Sequence, residues 1–413
     1  MGKFIGLSII WLLLLAFDVY IYKAVLNIYP AWSAKRKRRF AQLWWGYTAV
    51  LFVGVLLSMS FGIKLSFRTV FLVAFFITFM SKLVWALVLL VDDIRRGTLF
   101  FKQKVVKQQP EANAEKNAIP RSEFLVKAGM ALAAVPLSSL TWGVVSGAYD
   151  YRIRRQVLTL ENLPREFDGI KIAQISDVHS GSFYNKKAVL GGVEMLMAEK
   201  PELAFFTGDL VNGKAGEMRD YQDIFAKIKA PLGVYSVLGN HDYGMYEKWK
   251  NEAERVKNIE DVKNTHGIMG WNLLMNEHRR VKVDGAEIGI LGIENWGIGR
   301  FPKFGKMEEA VKDTDDLAVK LLLSHDPSHW RAQVLKDYPQ IDVSFAGHTH
   351  GGQFGVETGY GNWSPVQYIY NEWDGLYREG KQQLYVNVGY GFLGYPGRVG
   401  ILPEITIFEL KRG

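Results

Sequence analysis

The sequence predicts a two-part protein, a membrane-spanning helical region over residues 1–150 followed by an α/β domain over residues 151–413. Three observations carry this reading. Long apolar runs crowd the first 150 positions. After Tyr151 the pattern changes to short β-branched runs, each closed by Gly, Asp, Asn or His. All eight histidines of the chain fall between His179 and His350, so two chemistries occupy two regions. A chain of 413 residues has room for two or three domains.

In the first region, Trp44 to Ile63 is an uncharged run rich in Leu, Val and Phe. At about 1.5 Å rise per residue it is long enough to cross a hydrocarbon core of about 30 Å. Phe4 to Tyr22 and Thr69 to Val91 are nearly as apolar, with one ionisable residue each, Asp18 and Lys82. Phe124 to Tyr149 is diluted by Lys127, Pro136 and several Gly and Ser, and makes a fourth span. A secretory signal peptide does not suit the first run, which has no strongly charged leader and is followed by further spans. Asp18 and Lys82 should lie at similar depth in spans running the same way. An unpaired charge there costs at least ~2.5 kcal/mol, which predicts a mutual ion pair. Snorkelling of each to a polar boundary is the alternative.

The formal net charge is +8, and much of the excess sits in Lys35 to Arg39 and in Arg95 to Lys107, both beside apolar runs. Basic residues so placed mark cytoplasmic flanks, and no nucleic-acid partner is expected. The stretch between the second and third spans carries only Lys64 and Arg68. The positive-inside rule therefore predicts a multi-pass inner-membrane protein whose N-terminus and α/β domain are extracytoplasmic. Were the fourth run a surface helix, the domain would be cytoplasmic. Asp92 to Glu123 is too polar to fold alone and is expected to be a cytoplasmic loop. The absence of cysteine excludes disulfides, thiolate ligands and a cysteine nucleophile, so any metal must be held by N and O donors.

In the second region, five strand-like runs lead into polar motifs. Ile170 to Ser176 leads into Asp177-Val178-His179, Leu203 to Thr207 into Gly208-Asp209, and Val234 to Leu238 into Gly239-Asn240-His241-Asp242. Leu321 to Ser324 leads into His325, and Val343 to Ala346 into Gly347-His348-Thr349-His350. In layered α/β folds, sites are built at the C-terminal ends of strands. Asp, Asn and neutral His are donors for divalent Mn, Fe or Zn, and an Asp can bridge two ions held roughly 3.5 to 4 Å apart. An Asp-x-His or His-x-His pair on extended backbone is expected to point both side chains to one side. A lone Gly-Asp is usually a turn and a lone His usually structural. Five such motifs in this order, each at a strand end, point to a metal site.

The order Asp-x-His, Gly-Asp, Gly-Asn-His-Asp, His, Gly-His-x-His resembles the calcineurin-like metallophosphoesterase superfamily over roughly Ile170 to Leu410. Gly347 to Gln353 and the late Arg398 to Ile405 stretch look like its membrane-associated bacterial branch. The resemblance implies a four-layer αββα sandwich with two mixed sheets, where periodicity alone gives only an α/β class. Late strands such as Leu384 to Val388 and Glu404 to Leu410 are expected in the second sheet. The resemblance further implies that Asp177, His179 and His350 bind one divalent metal, that Asn240, His325 and His348 bind another, and that Asp209 bridges both. It makes His241 the non-ligand catalytic histidine near the leaving group.

One departure concerns the orientation of that histidine. In some relatives a carboxylate three positions after the bridging Asp orients it; here Asn212 stands there, so Asp242 or backbone is expected to orient His241. Arg398 is expected either to bind substrate phosphate or to form a surface salt bridge. His266, His278 and His329 are expected to be structural, Asn295 and Trp296 to line the cleft, and Tyr243 to Met275 to form a helical insert over the site. The function these features predict is hydrolysis of phosphate mono- or diesters, on lipid-linked or headgroup phosphate where a membrane tether raises local concentration. The competing enzyme reading is a UDP-2,3-diacylglucosamine-type pyrophosphohydrolase, which needs a cytoplasmic site. A non-enzymatic membrane sensor or scaffold is the competing non-enzyme reading, although none of the seven ligand positions is lost.

Overall fold

The computed structural model describes residues 2–60, 65–106, 121–301, 303–358 and 361–413. The chain divides into two compact units, Met1–Trp142 and Gly143–Gly413. The first contains helices α1 (Gly2–Ile28), α2 (Ala34–Ser60), α3 (Leu65–Val106) and α4 (Glu123–Val145), the last running three residues past the division. All four carry a segment long and apolar enough to cross a membrane, so the chain is a membrane protein. The end of the Trp44 to Ile63 run and Lys64 lie outside the described residues. So do residues 107–120 of the predicted loop. Its first part is helical: α3 continues to Val106, stapled by Asp92–Arg95 and Asp93–Arg96 pairs one turn apart. Asp93 also pairs with Arg121, ahead of α4, at 3.1 Å.

Inside this unit Asp18 is fully buried. Its carboxylate accepts hydrogen bonds from the Lys82 ammonium and, at 3.0 Å, from Thr48 Oγ1, tying α1 to α3 and α2. The Trp44 ring lies 4.9 Å from Lys82 Nζ and adds a cation–π contact. The two charges are thus paired, and neither snorkels. Away from them the helices close on apolar clusters, one of Ile21, Val25, Leu89 and Val126, another of Leu14, Val55 and Phe75.

The second unit is built on two six-stranded sheets. The chain lays down β1 (Arg152–Leu160), β2 (Lys171–Ile175), β3 (Leu203–Phe206), β4 (Val234–Ser236) and β5 (Asn272–Leu273). It continues with β6 (Glu277–Val283), β7 (Ala286–Gly292), β8 (Lys320–Leu323) and β9 (Val343–Ala346). A short hairpin of β10 (Val356–Thr358) and β11 (Gly361–Trp363) follows, then β12 (Gly375–Glu379), β13 (Gln382–Val386) and β14 (Glu404–Arg412). The sheet orders are β1-β14-β2-β3-β4-β5 and β12-β13-β9-β8-β7-β6. Both are mixed: β2 to β5 and β13-β9-β8-β7 run parallel, with antiparallel partners β14, β12 and β6.

Side-chain alternation divides the apolar residues between layers. Phe205 and Phe345 face each other between the sheets with ring centroids 5.0 Å apart, in a core shared with Ile172, Ile290, Leu321 and Phe408. Phe206, one residue along β3, turns outward to the helical layer, which includes Val193 of α5 (Lys186–Ala198) and Val262. Leu322, Ala346 and Val386 turn outward on the second sheet against Trp330 and Val334. This is the four-layer sandwich expected.

Two expectations change. Strand β13 joins the second sheet, but β14 lies in the first, parallel to β1 and antiparallel to β2. A nine-residue strand offers both edges, and only the pairing in space decides which sheet it completes. The helix within the 243–275 segment, Glu252–Met269, is one of the outer covering elements: Val262 and Met269 enter the apolar cluster with Phe206, and Asn258 braces the main chain at Gly213 and Ala215.

Removing either member of the Asp18–Lys82 pair leaves a buried charge uncompensated, at a cost of about 3–5 kcal/mol. Asp18→Lys or Lys82→Asp alone should lower folded yield and thermal stability in detergent, and the double swap should recover part of both. A double variant no better than the singles would show that the pair does not hold the helices.

Candidate metal centre

Strands β2, β3, β4, β8 and β9 all end at one edge of the sandwich, and their following turns carry the predicted residues. The turns are zipped together by main-chain bonds. Asp177 N donates to Gly208 O at 2.9 Å, His179 N to Asp209 O at 3.0 Å, and Gly347 N to His325 O at 2.9 Å. The expectation that the Asp-x-His and His-x-His pairs sit on extended backbone is not met. Asp177, His179, Asp209, His348 and His350 all have left-handed φ values between 47° and 72°. This conformation, costing about 1–3 kcal/mol at a non-glycine residue, turns each pair inward after the strand has ended.

Glycine opens the motifs because the donors approach the backbone closely. A Cβ on Gly239 would lie 2.2 Å from Asp209 Oδ1, and one on Gly347 would lie 2.2 Å from Asp177 Oδ2. Asp242, expected as an orienter of His241, instead accepts main-chain N–H bonds from Gly239, Asp209 and Leu210, all at 2.9 Å, and so clamps two of the turns together.

The result is two adjoining donor clusters. Asp177, His179 and His350 form one, and Asp209, His325 and His348 the other; within each, the facing atoms lie within 4.8 Å of one another. His350 Nε2 is 3.3 Å from Asp177 Oδ1. Asp209 stands between the clusters: Oδ2 lies 3.2 Å from His325 Nε2 and 3.5 Å from His179 Nε2, while Oδ1 accepts the His241 main-chain N–H at 2.8 Å. Asn240 Oδ1 reaches His348 Nδ1 at 2.9 Å, which brings it into the second cluster.

Each imidazole is held by the nitrogen facing away from its cluster. His325 Nδ1 donates to Thr207 O at 2.7 Å, and His179 Nδ1 donates to Asn212 Oδ1 at 3.1 Å. In both, Nε2 is left facing inward. His348 is reversed: Nε2 meets the Tyr370 hydroxyl at 2.8 Å and Nδ1 faces inward. His241 Nδ1 donates to the main-chain carbonyl of Asn212 at 2.8 Å, so backbone orients it, as one expectation held.

Arg398 departs from both expectations. It is 1% exposed, and its guanidinium donates to the carbonyls of Gly391, Val388, Gly389 and His350. It therefore braces the loop behind His350 and presents no fork to solvent. His266 and His329 are structural, buried and bonded to Ser236 and Ser324. His278 sits half-buried on β6. Asn295 is buried, its main-chain carbonyl accepting from Phe304 and Gly305, and Trp296 packs on His329. Sequence reasoning did not single out Tyr246, whose ring is 4.4 Å from that of His241, or Tyr370 and Asp326 beside His348. Tyr246 follows the Gly-Asn-His-Asp motif closely enough to be suspected; Tyr370 has no local signal.

The residues fit two divalent cations. Among the described residues, the buried Nε2 atoms of His179 and His350 have no hydrogen-bond partner, a deficit of about 1–3 kcal/mol each that a cation would remove. The donors are all hard or borderline N and O atoms, suited to Mn, Fe or Zn.

This chain belongs to the calcineurin-like metallophosphoesterase family. Residues 170–352 match the family described as calcineurin-like phosphoesterase, and residues 3–148 match one described as a probable calcineurin-like phosphoesterase, transmembrane domain. The chain is 30% identical over 303 residues to the uncharacterized metallophosphoesterase YkuE of Bacillus subtilis, covering 70% of this chain and 97% of that protein. It is 27% identical to a transmembrane protein with metallophosphoesterase domain from Danio rerio, covering 66% of this chain and 60% of that one. Among solved structures, a Haemophilus influenzae NAD nucleotidase aligns with 54% of this chain and 45% of its own at 16% identity and a TM-score of 0.37, too distant to bear on activity.

Electrostatics sets the proton balance of the centre. Burial lowers His179 to about 3 and His348 to about 4, so both lone pairs are available at neutral pH. Burial also lowers His325, but the Asp209 carboxylate beside it prevails and raises it to about 10. Burial raises Asp177 to about 6. His325 is therefore protonated at pH 8 before a cation enters, and Asp177 is ionised. Metal uptake at pH 8 should release about one proton, and affinity should rise about tenfold per pH unit below the His325 value. Below pH 6 the Asp177 proton steepens the dependence. Calorimetry in buffers of different ionisation enthalpy measures the release; zero protons at pH 8 would contradict this assignment.

Proposed function

We propose that this protein hydrolyses phosphate mono- or diesters at a centre of two divalent cations, Mn, Fe or Zn, on the extracytoplasmic face of the inner membrane. The observation that carries the chemistry is the placement of Asp209 Oδ2 within 3.5 Å of an imidazole from each cluster. In this reading Asp177, His179 and His350 hold one cation, Asn240, His325 and His348 the other, and Asp209 is shared. Two such ions supply Lewis acidity toward phosphoryl oxygens and lower the pKa of water.

The remaining work falls to the chain. The turn-held donors fix the distance between the two binding positions. His241, exposed enough to meet substrate, keeps its Nδ1–H on Asn212 O and in its imidazolium form donates through Nε2 to the departing oxygen. The main-chain carbonyl prevents the ring from flipping that donor away. Arg398, behind His350, holds the loop and touches no substrate.

His241→Gln should lower kcat by about 10²–10⁴-fold with metal content unchanged. Asp209→Asn should lower metal content itself. Elemental analysis with hydrolysis of p-nitrophenyl phosphate and bis-p-nitrophenyl phosphate reads both, and full activity in a metal-free Asp209→Asn sample would end the proposal.

The sidedness is argued from Lys35 to Arg39 at the start of α2, from Arg95 and Arg96 in the last part of α3, and from Arg121 ahead of α4. Four crossings return the chain to the side on which it started, and this orientation removes the motive for the cytoplasmic pyrophosphohydrolase reading. A lipid-borne phosphate ester is favoured as substrate because the tether concentrates the enzyme at the bilayer. Alkaline phosphatase fused after Gly413 should be active in intact cells, whereas activity only from a cytoplasmic reporter would reverse the orientation.

A further inference from the structure

Beside the metal centre lies an apolar surface that catalysis does not use. Tyr368 and Ile369 are each 77% exposed, Val356 is 53%, Phe354 44% and Trp363 43%. They form one patch. Val356 pairs with Trp363 across the β10–β11 hairpin, Phe354 lies two residues before Val356 on the same side, and Trp363 Nε1 contacts the Tyr368 hydroxyl at 3.5 Å. The described residues of the segment, 354–358 and 361–370, contain a single charged side chain, Glu357, and it is taken by Arg154.

The patch is fastened to the site. Ser364 Oγ donates to Gly351 O at 2.8 Å, just past the His348-Thr349-His350 turn. Val366 and Tyr370 pack against the buried Trp373, Val388 and Ile401, and the Tyr370 hydroxyl meets His348 Nε2. On the loop that follows His241, Met245 and Tyr246 are each about half exposed. Apolar side chains thus stand on both sides of the centre.

We propose that residues 354–358 and 361–370 form a bilayer-docking element that seats the mouth of the metal centre in the headgroup region. The occupant is a lipid surface for two reasons. Exposed Trp and Tyr with Phe, Val and Ile, and no free charge, is the composition that settles at a membrane interface. Only residues 146–151 separate the end of the last membrane helix, Val145, from the start of β1, Arg152, a link of at most about 20 Å when extended. A bilayer is therefore always within reach of this domain. Docking would present phosphate esters on lipids to His241 and the donor clusters at fixed height, which deepens the phosphoesterase reading and rests on it for the identity of the reaction.

The chain has no cysteine, so Tyr368→Cys takes a single environment-sensitive fluorophore in the full-length protein. Lys381→Cys is the control, at the turn before β13, whose far end runs beside the site-bearing end of β9. In phosphatidylcholine–phosphatidylglycerol vesicles, the label at 368 should shift to shorter wavelength, resist iodide and be quenched by spin-labelled lipid, while the label at 381 stays accessible to iodide. Equal iodide access at both positions would overturn the proposal. So would protection at 368 that persists in detergent without lipid, which would assign the patch to a protein contact. As a second readout, Tyr368→Glu with Ile369→Glu should reduce hydrolysis of a vesicle-borne phosphate ester several-fold and leave a soluble nitrophenyl ester unchanged. An equal loss on both substrates would assign the segment to site structure and overturn docking. A wild-type protein that cleaves neither ester would sink the phosphoesterase reading, while the fluorescence readout still decides docking.

Discussion

The carboxylate of Asp209 is the group on which the catalytic unit turns. One oxygen is fixed by the main-chain N–H of His241, and the other faces imidazoles belonging to the two donor clusters. A carboxylate this deeply buried needs positive charge beside it. Without a cation, the burial penalty is met by a proton on His325; with two cations, it is met by the ions. The same side chain therefore sets the spacing of the clusters, the proton inventory of the metal-free protein and the position of His241.

Holding it there is costly, and the fold distributes that cost. Five of the candidate ligands adopt left-handed backbone, which L-residues avoid. What stabilises them is main-chain bonding between turns: the N–H of Asp177 on Gly208, that of His179 on Asp209, and the Asp242 carboxylate bound by four N–H groups. Arg398 supplies the same service at the back of His350, spending a buried guanidinium on backbone carbonyls. The two sheets provide a rigid floor, since Phe205, Phe345 and Phe408 interlock between them. Precision at the strand ends is thus a property of the turns and their clamps, with the sandwich as support.

The membrane unit solves a related problem with fewer parts. Asp18 and Lys82 would each be prohibitive alone in hydrocarbon, and together with Thr48 and Trp44 they become a specific contact among three helices. Lipid gives apolar helices little reason to choose one another, so a polar contact of this kind fixes which faces meet.

Much of this protein was legible along the chain because the determining features are local. Four apolar runs declare spans through length and composition alone, and Gly before Asp, Asn or His at the end of a β-branched run declares a site wherever the fold places it. What lay beyond the sequence was everything set by distance in space. Asn212 divides its roles, side chain to His179 and carbonyl to His241. Asp242 faces backbone, Arg398 is buried, β14 completes the first sheet, and Tyr370 arrives at His348 from 22 positions away. Composition and spacing report what a residue can do chemically, and they determined that N and O donors gather at strand ends. Which partner each atom meets depends on which turns become neighbours, and packing of the two sheets alone decided that.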